Sequence, residues 1–142
     1  MSRRDRFAKG FYDQASSDWA VYRRLTNMGV AKCHELHYLQ MACEKLAKAY
    51  KLRNVASDVD DVITHHVGFE AFVNGFLRSP TMLDEFRGQD ARHRAVCRDA
   101  KLLAREIEKL APAVDRAQAP ENAEYPWERG VEPGPLWLSD CA

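Results

Sequence analysis

The sequence predicts an all-α fold: an up-and-down bundle of four long helices, with a short fifth helix before the last, followed by an irregular tail. Three observations carry that prediction. Apolar residues recur at steps of three and four along most of the first 110 positions, the spacing of one buried face on a helix. Break signals at Asn27-Met28-Gly29, Ser79-Pro80 and Arg87-Gly88 cut this pattern into helix-sized pieces. Five of the six prolines fall after Leu110, where regular structure is expected to stop.

Phe7, Phe11, Ala15, Trp19 and Tyr22 step by four, four, four and three, laying one apolar stripe on a first helix from about Arg6 to about Asn27. A second stripe, Leu36, Leu39, Cys43, Leu46 and Tyr50, has the seam spacing of a helix packed nearly antiparallel to its neighbours. Asn54, Ser57, Asp58, Asp60 and Asp61 form a polar connection, and the acids suit the positive end of a third helix. Phe69, Phe72, Val73, Phe76 and Leu77 give that helix its buried face, ending near Arg78 before the Ser79-Pro80 cap-plus-N1 start. Val96, Ala100, Leu103, Ile107 and Leu110 share one side of a last helix, whereas at about 100° per residue Leu83 and Phe86 would point to its opposite side. One straight helix cannot bury both sets, so a break at Arg87-Gly88 separates a short helix at about 81–87 from a long one at about 89–110.

With 142 residues the chain has one domain's length, enough to bury a core without disulfides or metal. The expected division is a bundle over 1–111 and an extension over 112–142. Tyr125, Trp127, Leu136, Trp137 and Leu138 make the extension too apolar for a free linker, so it is expected to pack on the bundle or on a partner. Basic and acidic residues balance at 21 each, which excludes a whole-protein electrostatic footprint for nucleic acid and requires a local basic patch instead. The basic start, Met1 to Arg6, has no apolar segment behind it and no run of about 18 apolar residues occurs, so a cytoplasmic protein with no membrane partner is expected. The four cysteines show no C-x-x-C spacing, and Cys43, on an apolar helix face, reads as a core residue. Phosphate-binding, dinucleotide and serine-hydrolase signatures are missing.

Residues 40–49 read Gln40-Met41-Ala42-Cys43-Glu44-Lys45-Leu46-Ala47-Lys48-Ala49, and Thr64-His65 follows after the polar interval. This pattern, Q-x-A-x-E-K-x-x-K-A on an amphipathic helix and then T-H, resembles the HEPN family of prokaryotic helical domains over about residues 33–77. The resemblance implies a helical bundle and a homodimer. It leaves two functions open: a non-catalytic module that dimerises and binds a nucleotide, RNA or a partner protein in a bacterial defence or toxin-antitoxin setting, or a metal-independent RNA endonuclease. Nuclease members carry an arginine and a histidine spaced by four to six residues near the start of the last helix, paired across the dimer. Here Arg87 and His93, with five residues between them, fall in that place.

The chemistry of that pair is coherent, since metal-free RNA cleavage needs a group titrating near neutrality, His93, and a permanent cation for the phosphate, Arg87. A helix start at about Gln89 would add backbone N–H groups to the same anion site. Gly88 departs from the polar residue that commonly follows the arginine, and the alternative is an exposed loop arginine beside a locally bonded histidine. Arg94, Arg98, Lys101 and Arg105 form a basic stripe opposite the apolar face that could follow an RNA backbone or a polyanionic nucleotide; a solvated charged face is the commoner meaning of such a stripe. His34-x-x-His37 and His65-His66 suggest zinc, but no Glu-x-x-His pair exists for a di-iron site, and no metal or other cofactor is expected. Glu44 has the spacing for an ion pair with Lys48, and His65 is the expected partner if Glu44 faces inward.

Overall fold

The computed structural model describes residues 1–65 and 68–110; the expected extension lies outside the described residues. The described chain is all-α, with no strand. Helix α1 (Arg3–Leu25) opens on a capping box in which the Ser2 hydroxyl accepts from the Asp5 amide at 3.1 Å while the Asp5 carboxylate accepts from the Ser2 amide at 3.0 Å. Gly29, at φ +64, takes the left-handed turn that ends the connection to α2 (Lys32–Lys51). α1 and α2 lie antiparallel in the most extensive helix–helix contact of the fold. Small residues on the facing seam, Ala15, Ala42, Ala47 and Ala49, are buried and let the two backbones approach. Ala47, Leu52 and Val62 form the innermost core, with Phe7, Phe11, Phe69 and Phe72 packed around it. Cys43, expected in the core, lies partly buried beside this seam, and burial pushes the pKa of its thiol up to about 12.

The motif at 40–49 builds this seam. Lys45 crosses to Asp18 of α1 at 2.6 Å, Glu44 pairs with Lys48 at 3.3 Å, and the Gln40 amide donates to Glu44 at 3.0 Å. Lys48 also sits over the Phe11 ring. The expected contact between Glu44 and His65 is replaced: His65 is exposed and turns to Asp61 at 3.1 Å, one turn back on its own helix.

The third long helix is a correction. It forms as two short ones, α3 (Val59–Thr64) and α4 (Phe69–Leu77). Asp58 caps α3 by accepting from the Asp61 amide at 2.9 Å, and His65 leaves helical geometry at φ −107 and ψ 156. Gly68 starts α4, whose first turn is capped from outside: the Glu108 carboxylate accepts from the Glu70 amide at 3.2 Å. A Cβ on Gly68 would stand 2.7 Å from that same oxygen, so the interruption makes room for a tertiary cap.

The Ser79-Pro80 start occurs as expected, opening α5 (Pro80–Glu85), with the Ser79 hydroxyl accepting from the Met82 amide at 3.4 Å. Gly88 at φ +74 makes the expected break before α6 (Asp90–Glu108). Among the described residues three helices are therefore long, not four. The buried seam of α6 also differs from expectation: Ala104 is 0% exposed and Ile107 6%, whereas Leu103 is 61% exposed. Close packing against the small Ala104 rotates Leu103 outward. α6 runs antiparallel to α4 and holds it at both ends, by Glu108 at its start and by His93 at its last residue, Leu77.

Candidate functional site

The end of α4 and one side of α6 enclose a groove of about 470 Å³ lined by His93, Arg94, Cys97, Arg98, Lys101, Leu102 and Arg105, with Arg78 from the C-cap of α4. All four residues of the expected basic stripe reach it. The steps of four, three and four place the charges about 6, 4.5 and 6 Å apart along the helix axis. Arg78 joins them because the Ser79-Pro80 break stops α4 there and α5 turns away. Its place in the sequence carried no signal of that; only the antiparallel packing of α4 on α6 brings it in.

Neutralisation of this row is partial. Arg98 reaches its neighbour Asp99 at 3.0 Å, and Arg105 pairs with Glu70 at 2.9 Å. The Glu70 hydrogen bond holds the Arg105 guanidinium above its usual range, and the same bond holds the Glu70 carboxyl below the usual carboxylate range. Arg78, Arg94 and Lys101 form no ion pair among the described residues. The whole-chain charge balance conceals an uneven distribution: residues 1–110 contain 19 basic and 15 acidic residues, while 111–142 contain two basic and six acidic.

Arg87 and His93 are not joined by a hydrogen bond. Arg87 is 83% exposed in its side chain and pairs with Asp84 of α5. His93 is half-buried, and its Nε2 lies 2.9 Å from the Leu77 carbonyl, which can only accept, so that nitrogen carries a proton. The Cys97 sulfur stands 3.4 Å from the same nitrogen, and the Phe86 ring packs 5.1 Å from the imidazole. One ring nitrogen is therefore committed to the fold. Asp90 occupies the first turn of α6, where its carboxylate competes with any phosphate for the helix dipole.

Among the described residues no three His, Cys, Asp or Glu side chains stand close enough to hold a metal ion, and His34, His37 and His65 are not brought together; His66 lies outside the described residues. No described helix is long and apolar enough to cross a membrane. A second surface is apolar: two adjoining hollows of about 390 and 630 Å³ run along α1, α2 and α4 and meet at Tyr12 and Leu46. No family model, curated protein or solved structure matches this chain.

Proposed function

We propose that this chain is a non-catalytic HEPN-like binding module that takes the phosphate backbone of RNA along α6. The observation that carries this reading is the convergence of Arg78, Arg94, Arg98, Lys101 and Arg105 on one open groove. From Arg94 to Arg105 the row runs about 16 Å, a length suited to several successive phosphates better than to one nucleotide. Among the described residues no Phe, Tyr or Trp lines it, and the His93 ring packs on Phe86, so bases have no extended stacking platform there. The homodimer, and the bacterial defence or toxin-antitoxin setting, enter this proposal through the family resemblance alone.

The test is binding of single-stranded RNA by fluorescence anisotropy across a salt series. Engagement of about four phosphates gives a log–log slope near −3. Removing Arg94 or Lys101 lowers the slope by roughly one for each cation. Absence of binding at low salt, or a slope unchanged by Arg94→Ala and Lys101→Ala, refutes the proposal.

The alternative is a metal-independent endoribonuclease using Arg87 and His93 across a homodimer. One observation favours keeping it in the experiment: His93 lies on the wall of the same groove. RNA cleavage in EDTA that disappears in both His93→Gln and Arg87→Ala while binding is kept establishes it, and binding without cleavage removes it.

A further inference from the structure

The bundle leaves large apolar side chains uncovered on one face. Tyr12 is 58% exposed, Trp19 47% and Phe76 40%, and they border the two hollows that meet at Tyr12 and Leu46. The first hollow is lined mainly by apolar surface and carries no charged side chain; the second carries two charges at its border, Asp5 and Arg53. Asp5 is engaged by Ser2 in the capping box, which leaves Arg53 as the rim cation. Two adjoining apolar hollows bordered by three exposed aromatic side chains offer a trough-like surface on which an apolar segment can dock.

We infer that the trough is the docking site for this chain's own segment Tyr125–Leu138. Its composition matches the surface in pattern: Tyr125-Pro126-Trp127 and Leu136-Trp137-Leu138 are two apolar clusters separated by a polar interval, and the trough is two apolar hollows joined at a waist. Glu124 and Glu128 flank the first cluster and suit the Arg53 rim. Prolines 126, 133 and 135 reduce the freedom that the segment would lose on docking.

The geometry of departure agrees. Glu108 contacts both residues that flank Phe69, lying 2.7 Å from the Cβ position of Gly68 and accepting from the Glu70 amide at 3.2 Å. Phe69 is itself part of the first hollow, so the chain leaves α6 beside the mouth of the trough. The connection from Leu110 to Tyr125 spans at most about 50 Å when extended, and all of α1 measures about 35 Å, so both hollows are within reach. The basic groove on α6 is a poorer seat for these clusters, because Leu102 is the one large apolar side chain that lines it.

The test uses the intact chain and hydroxyl-radical footprinting read by mass spectrometry. In the native protein Tyr12, Trp19 and Phe76 should label slowly while Leu103, exposed on α6, labels fast. In the Trp127→Asp/Trp137→Asp variant the three trough residues should label several-fold faster with Leu103 unchanged. The reciprocal variant, Tyr12→Asp/Trp19→Asp, should raise labelling of Trp127 and Trp137, and circular dichroism of both variants should match the native helical signal. Trough residues that label in the native chain as fast as Leu103, each rate divided by the intrinsic reactivity of its residue type, overturn the inference. So does slow labelling that survives the tail substitutions but disappears on dilution, which would assign the trough to a second copy.

Discussion

Replacing Arg4 should destabilise the fold by about 2–3 kcal/mol, because this guanidinium ties the first turn of α1 to the loop between α2 and α3. It donates to four carbonyls: Leu52 at 3.3 Å, Asn54 at 2.8 Å, Val55 at 3.2 Å and Ser57 at 2.7 Å. The Asn54 and Val55 carbonyls are exposed and water replaces the lost donor there, so they contribute little. The Leu52 and Ser57 carbonyls are partly buried, and hydrogen bonds from a charged donor in such places are worth about 1.5 kcal/mol each at the low end. In a chain of this length each kcal/mol shifts Tm by roughly 3–4 °C, so Arg4→Met should melt about 6–12 °C lower by circular dichroism. Arg4→Lys tests the geometry: one ammonium cannot point donors at four carbonyls spread over six residues, so it should recover less than half of the loss. A melting temperature of Arg4→Met within about 1 °C of native, against the shift expected from that loss, would show that the loop holds its shape without the clamp.

Two further outcomes follow from particular contacts. Gly68→Ala should cost about 1 kcal/mol by pushing the Glu108 carboxylate off the Glu70 amide and uncapping α4; thermal melts of Gly68→Ala and Glu108→Ala should then show losses that do not add, and additive losses would count against the shared cap. The Glu70–Arg105 pair should be pH-dependent in a definite direction: the folded Glu70 carboxyl sits below its usual 4.5, so its stabilising contribution is present above that value and is lost as pH falls through the folded one. The Tm difference between native and Glu70→Gln should therefore shrink on acidification below about 4.5, and at neutral pH the same variant should bind RNA more tightly because Arg105 is released; weaker binding would place Glu70 on the side of the ligand.

Features governed by neighbouring residues in the chain were legible in advance. Ser79-Pro80 is a cap and an N1 residue wherever it occurs, and the phase conflict between Leu83/Phe86 and the last helix required a break that Gly88 supplies at φ +74. The α1–α2 pair followed from two apolar stripes with compatible spacing. What escaped depended on residues far apart. The interruption before Gly68 answers to Glu108, forty positions later, and His65 is exposed beside it. Leu103 faces out because the seam of α6 follows Ala104, a preference of packing that hydrophobicity alone ranks the wrong way. The basic stripe was legible as a stripe, yet Arg78 enters its groove only through the antiparallel docking of α4. Arg4 was one cation among several in a basic N-terminus until the loop it clamps came into place.

The position of His93 decides how any loss of activity there must be interpreted. Glu108 meets the N-terminal end of α4 with a carboxylate and His93 meets its C-terminal carbonyl with an N–H, so each group complements the dipole of the helix end it touches. α4 is only nine residues long, too short to persist on its own propensity, and it carries both Phe72 of the core and Arg78 of the basic groove. Losing His93 should therefore loosen the helix that places Arg78, and the proposed RNA binding should fall even where no proton is ever transferred. A glutamine at this position keeps an N–H donor for Leu77 while removing the titrating imidazole. Native binding in His93→Gln with weak binding in His93→Ala assigns the residue to the clamp, whereas cleavage lost in both variants, with binding intact in the glutamine form, assigns it to chemistry.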